Sequence, residues 1–240
     1  FESNLYKRTE MEKIVVLTGA GISAESGIRT FRDGDGLWKT HHFADLATPA
    51  AWRRNPELVL EFYNDRRKQL LEVEPNAAHF ALTKLEKKYD LHIVTQNVDD
   101  LHERAGSSKV LHLHGELRKA RSTINPDLIY NIDGWELKLG DKCEKGSQLR
   151  PHIVWFGEPV DDFEKAVEIV SCADLLLVIG TSLVVYPAAG LLYHTKANIP
   201  IYLIDPGEPK FSQTSNLTFI QDKAASAVPK LVEQLLDKGF

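Results

Sequence analysis

"KIVVLTGAGISAESGIRTFRDGDGLW" occupies residues 13 to 38, and its reading decides the fold. The run 13 to 18 has the continuous apolar character of a strand buried on both faces. Gly19, Gly21 and Ala24 follow at once in the order G-x-G-x-x-A. Small residues at that spacing, with Ala20 between the glycines, let backbone amides approach a pyrophosphate, and a helix start adds partial positive charge. In dehydrogenases the same fingerprint is joined by an acidic residue about 20 positions on, at the end of a second strand. Here that region is a long loop carrying Phe31, Arg32 and Trp38. Hydride transfer therefore fits poorly.

Working outward, short apolar runs recur at 91 to 96, 110 to 114, 152 to 156, 174 to 180, 199 to 204 and 217 to 220. Most read as buried strands. Helical patterns lie between them at 56 to 72, 75 to 89, 160 to 172, 187 to 197 and 224 to 238, the first with Asn55 as N-cap and Pro56 as its first residue. This alternation predicts an α/β fold, a Rossmann-type parallel sheet with helices on both faces. The stretch 116 to 150 breaks the rhythm, being polar, turn-rich and short of apolar periodicity. The expected organisation is a Rossmann-type nucleotide-binding domain from 11 to 114 and 152 to 240, with a small inserted module at 115 to 151. Residues 1 to 10 precede the only methionine, Met11, and are expected to be a tag or an N-terminal extension.

With 240 residues, 43% of them hydrophobic, the chain can bury a substantial core. Its net charge of −5 and lack of a dense Lys/Arg stripe argue against a nucleic acid or an anionic membrane as partner. No apolar run reaches the roughly 20 residues of a membrane-spanning helix, and no signal peptide is evident. Cys143 and Cys172 are the only cysteines, too few for a disulfide scaffold or a four-thiolate zinc site, which makes the cytoplasm the expected location.

Several strand ends carry polar residues. "VIGTSLVVYP" offers Gly180, Thr181 and Ser182 as donors for a ribose or phosphate, and "QNVDDLHERAG" places Gln96, Asn97 and Asp99 where open α/β sheets bind ligands. Asp100 reads as a cap for the next helix. In "VLHLHGEL", His112 and His114 share one face of a strand, and His114, ending it beside Gly115, is well placed as a general base. His112 and His102 read as hydrogen-bonded structural histidines. A His112/His114 metal pair lacks a third ligand.

In the helix 56 to 72, steps of about 100° per residue bring Val59, Tyr63, Arg66 and Leu70 onto one stripe with Phe62 beside it, while Asn64 and Lys68 fall opposite. Arg66 thus sits within the apolar arc and needs an anionic partner. An internal carboxylate would serve. So would a carboxylate on a ligand, with Tyr63 one turn away supplying a hydroxyl.

Taken in order, "GAGISAESGIRTFR", "TQNVDDLHERAG", "HGEL", "RPHIVWFGE" and "GTSLVVYPAAG" closely resemble the sirtuin family of NAD-dependent protein-lysine deacylases over about residues 11 to 238. The resemblance implies that NAD and an acyl-lysine peptide meet in a cleft between a Rossmann-type domain and a small module. It matches Gly19, Ala20 and Gly21 to the pyrophosphate turn. Phe31, Arg32 and Trp38 belong to a loop that closes over NAD. Gln96, Asn97 and Asp99 match residues holding the ribose and the nicotinamide carboxamide. Gly180, Thr181, Ser182, Asp205 and Ala224 fall where the family contacts the adenosine half, Asp205 standing where many members have asparagine. His114 matches the catalytic base, with Asn97 and Asp99 assisting. Val154, Phe156, Gly157 and Glu158, with 184 to 187, match the segments between which the peptide adds as a strand. Tyr63 and Arg66 match the desuccinylase and demalonylase subgroup, where they bind the acyl carboxylate.

The implied products are nicotinamide, O-acyl-ADP-ribose and free lysine. Many members hold a structural zinc by two Cys-x-x-Cys pairs in the module, but 115 to 151 contains only Cys143 and no histidine, so no zinc is expected. A monomer is expected. The competing readings are an NAD-dependent protein ADP-ribosyltransferase and a non-catalytic NAD-sensing module.

Overall fold

The computed structural model describes residues 11–29, 43–181, 186–208 and 215–240. Expectations for Phe31, Arg32, Trp38 and Ser182 lie outside these residues.

Strands β1 (Lys13–Thr18), β2 (Asp90–Thr95), β3 (Val110–His112), β7 (Leu175–Ile179), β8 (Ile201–Ile204) and β9 (Leu217–Ile220) form one sheet in the order β3-β2-β1-β7-β8-β9. Every pairing is parallel. Alternate residues of β1 enter different cores. Ile14 and Val16 pack under α5 (Ala77–Leu85) and α8 (Ala224–Lys238), whereas Val15 and Leu17 pack under α7 (Phe163–Ser171) and a 3-10 turn, Ala188–His194. Burial on both faces is why the strand sequence is apolar throughout. The chain runs one way along the sheet from β1 and the other way from β7, so their carboxyl ends flank a topological switch point.

The expected α/β fold is present, with differences in its parts. The run 187 to 197 forms only the 3-10 turn. The run 152 to 156 does not join the parallel sheet. Its first two residues end β6 (Leu149–Ile153), which pairs antiparallel with β4 (Gly115–Ser122), itself paired with β5 (Ile129–Asn131). Pro151 has no amide proton and sits in β6 at the sheet edge, where a missing donor is tolerated.

Helix α4 (Pro56–Glu72) starts as its sequence requires, with the Asn55 side chain accepting from the Leu58 amide. Its buried face differs from the expected stripe. The wholly buried arginine is Arg67, and Arg66 is partly exposed. Arg67 donates to the carbonyl oxygens of Trp135 (2.7 Å) and Leu117 (3.2 Å) and to Asn64 Oδ1. Burial, with Arg118 nearby, pulls its guanidinium down to about 10. Asn64 is likewise no solvent-facing residue, since its amide pairs with both backbone groups of Leu137 at 3.0–3.1 Å. The helix has two buried sides because the 115–153 segment packs along the second one, through Leu60, Ala120, Ile132 and Leu137. Within that segment, Ser122 Oγ meets Ser147 Oγ at 2.7 Å and Cys143 Sγ lies 3.1 Å from the same hydroxyl.

Candidate active site

The turns after β1 and β7 interlock. The Gly21 amide donates to the Gly180 carbonyl (2.8 Å), and Gly180 has φ +62° with a hypothetical Cβ only 2.3 Å from the Ile22 nitrogen. The Gly21 amide is therefore spent inside the protein, and the glycines first of all allow two backbones to touch. Helix α1 (Gly21–Ala24) is a single turn.

Beneath this junction lies a polar hub. Asn97 Nδ2 donates to the Gly19 carbonyl and to Ser23 Oγ, each at 3.1 Å, while Ser23 Oγ donates to Asp99 Oδ2 at 3.0 Å. Gln96 Nε2 donates to Thr181 Oγ1 (3.1 Å), tying the end of β2 to the second glycine turn. Asn97 and Asp99 are each 7% exposed, and burial raises the Asp99 carboxyl despite bonds from Leu101 and Ser23. Asp99, and not Asp100, accepts from the Leu101 amide that opens α6 (Leu101–Ala105); the Asp100 side chain makes no cap bond.

The two histidines differ electrostatically, and the strand expected to end at His114 ends at His112, which leaves His114 in the turn beyond it. His114 Nδ1 meets the Gln96 carbonyl at 3.0 Å. A carbonyl only accepts, so Nδ1 carries the proton and Nε2 keeps its lone pair. Burial lowers the His114 pKa against the opposing effect of that bond. His112 faces acceptors with both nitrogens, the Asn97 carbonyl at 2.9 Å and Glu103 at 2.7 Å. Burial would lower it, but the Glu103 bond and charge prevail and its pKa rises. His102, 1% exposed, bonds Thr18 Oγ1, which donates to Thr95 Oγ1, which in turn accepts from the Asn97 amide. His112 and His102 are thus hydrogen-bonded within the structure, as expected.

Tyr63 is 2% exposed, and its hydroxyl accepts from Trp155 Nε1 at 3.1 Å. Arg66 lies one turn on, its guanidinium 5.8 Å from the Phe62 ring. Burial is the largest influence on that guanidinium and lowers it, while Tyr63 and Asp99 act electrostatically in the other direction.

In the 154–158 segment four amides are engaged internally: Val154 to the His114 carbonyl, Trp155 to Glu158, Phe156 to Ala47, and Glu158 to the Trp155 carbonyl. A peptide strand would have to pair with other groups. Phe156 is 48% exposed, Gly157 has φ +89°, and the Glu158 carboxylate is held by Arg150 at 2.6 and 2.9 Å and by Arg121 at 3.2 Å. Asp205, after β8, accepts from the Gly207 amide. Ala224 opens α8, where the Ala225 amide is bonded by Glu25. Sequence reasoning missed Ser23, Trp155 and Arg150. The fixed offset of Ser23 within the first glycine turn was the one available signal.

Amide, hydroxyl and carboxylate side chains gathered at the carboxyl ends of β1, β2, β7 and β8, around a switch point, define an α/β protein built to take a nucleotide. The Sir2 family model matches residues 19–187. An NAD-dependent protein deacylase of Helicobacter pylori is 53% identical over 95% of this chain and 99% of its own. A solved Sir2 homologue in complex with NAD has a TM-score of 0.85 at 40% identity, covering 96% of this chain and 92% of that one. A Sir2 structure with a deacetylated p53 peptide and 3'-O-acetyl ADP-ribose has a TM-score of 0.77 at 33% identity, covering 96% and 94%. The chain belongs to the Sir2 family.

Proposed function

We propose that this NAD-dependent protein deacylase acts preferentially on lysines bearing succinyl or malonyl groups, with acetyl-lysine a poorer substrate. The observation that carries the preference is Tyr63 with Arg66. A buried hydroxyl and a partly buried guanidinium, one helical turn apart, form a donor pair for a carboxylate at the end of an acyl chain. The expected absence of zinc belongs to the same reading, and the Ser122–Ser147–Cys143 contacts support it.

NAD, when bound, would supply an electrophilic ribose carbon and a nicotinamide leaving group. The residues that would hold it are Gly19, Ala20, Gly21, Gln96, Asn97, Asp99, Gly180, Thr181, Asp205 and Ala224, a mixture of close backbone, side-chain amides, a hydroxyl and accepting carboxylates that suits ribose hydroxyls and a carboxamide. His114 Nε2, left with its lone pair by the Gln96 carbonyl, would take a proton from a ribose hydroxyl. Ser23 keeps Asn97 and Asp99 in fixed mutual orientation.

The test is kcat/KM on succinyl, malonyl and acetyl peptides. Losing a charge-assisted bond of about 1.5 to 3 kcal/mol should lower the succinyl-to-acetyl ratio roughly 10-fold to 100-fold in Arg66→Met, and less in Tyr63→Phe. An unchanged ratio in both variants would reject the preference. NAD-dependent ADP-ribosylation of an unacylated protein, with no peptide deacylated, would reject the deacylase reading.

A further inference from the structure

The Trp155 indole can only donate a hydrogen bond, so its 3.1 Å contact occupies a lone pair of the Tyr63 oxygen and directs the hydroxyl hydrogen elsewhere. The indole itself cannot drift. The Arg150 guanidinium lies 3.3 Å from its ring centroid, and the Trp52 ring is 5.8 Å away and tilted by 37°. The Trp155 amide donates to Glu158 Oε2 at 2.8 Å, and that carboxylate is clasped by Arg150 and Arg121. Arg150 also donates to the Ile153 carbonyl at 2.9 Å, which fixes it to β6. Tyr63 is held in turn by the Phe62 ring, edge-on at 5.1 Å. Of these groups, the phenolic O–H is the one left able to rotate, and Trp155 sets where it points.

We propose that Trp155 is a specificity-determining positioning residue, whose indole N–H presets the Tyr63 hydroxyl as a donor toward an acyl carboxylate. This rests on the reading that Tyr63 and Arg66 bind that carboxylate. A preset donor loses little freedom on binding, so the contact discriminates between acyl groups with and without a carboxylate. The Arg150–Glu158 pair then acts on acyl choice indirectly, by holding the indole.

The experiment compares wild type, Trp155→Phe, Tyr63→Phe, their double variant and Arg66→Met on succinyl and acetyl peptides. A net hydrogen-bond contribution corresponds to a drop of about 2-fold to 12-fold in the succinyl-to-acetyl ratio for Trp155→Phe. Because Trp155 acts through the hydroxyl, the double variant should have the ratio of Tyr63→Phe alone. If Trp155→Phe fails to fold, 3-benzothienylalanine at position 155 keeps the bicyclic shape without the N–H, and the same ratio is read. Equal losses on both peptides, or full additivity with Tyr63→Phe, would overturn the role of Trp155. A ratio that falls in Arg66→Met but stays at the wild-type value in Trp155→Phe overturns it while leaving the carboxylate reading standing. A ratio unmoved by Arg66→Met removes both.

Discussion

The Gly21 amide and the Gly180 carbonyl, 2.8 Å apart, join the turn after β1 to the turn after β7 into one backbone unit across the switch point. Gly180→Ala should break it. The new Cβ would stand 2.3 Å from the Ile22 nitrogen, at φ +62°, where non-glycine residues cost of order 1 to 3 kcal/mol before any clash. Denaturant melts should show a loss at or above that range, and isothermal titration should show weakened NAD binding. Wild-type stability with intact NAD affinity would contradict the interlock.

His114 should be active as a neutral base across a wide range. Burial lowers its pKa, so the acid limb of kcat/KM against pH, where activity rises as the imidazole deprotonates, should have its midpoint below the ordinary value of about 6.5. His114→Ala should lose roughly 100-fold to 10,000-fold in turnover while still binding NAD. A limb centred clearly above pH 6.5 that persists in the variant would assign the titration to another group.

Glu103 and His112 make a pH-dependent contribution to stability. The raised folded pKa of His112 means that its share is complete below the unfolded value of about 6.5 and is lost as pH rises through the folded one. For Glu103, burial alone would raise the carboxyl but the His112 bond prevails and lowers it, so its share is complete above about 4.3 and is lost as pH falls. The pair is fully effective between roughly pH 4.3 and 6.5. Glu103→Gln should therefore lower Tm more at pH 6 than at pH 9, and NMR titration should find the His112 pKa reduced. A Tm loss independent of pH would point to packing alone.

Metal content is directly measurable. Elemental analysis of purified protein should find well under one zinc per chain, and a strong chelator should leave melting temperature and deacylation unaltered. One tightly bound zinc per chain would show that the hydroxyl contacts of Ser122 and Ser147 do not replace a metal.

The parallel sheet was legible because strands buried on both faces read as unbroken apolar runs, as "KIVVLT" and "DLLLVIG" do. Strand β4 was not. A register shift between Gly115 and Ala120 breaks its alternation, and its buried positions include Gly115 and Ser122, which carry no apolar signal. On α4 the periodicity located the buried face but centred it on Arg66, since a single-stripe reading assumes one packing partner and this helix has two. Tyr63, Arg66, Asn97, Asp99 and His114 could be picked out because polar residues at strand ends or within apolar arcs are anomalous. Trp155 could not, because an aromatic beside an apolar run has the signature of ordinary core.

The chain leaves His114 and returns to the same residue. Gly115 pairs with Ile153, its φ of +82° and missing side chain allowing the His152 carbonyl to pass where a Cβ would stand 2.1 Å away, and the Val154 amide then closes on the His114 carbonyl at 3.0 Å. The excursion is sealed at its root, and Arg67 and Asn64 brace it near Trp135 and Leu137. Residues 123–131 and 138–148 lie beyond those braces, so a change of length at those tips should leave the position of His114 as it is.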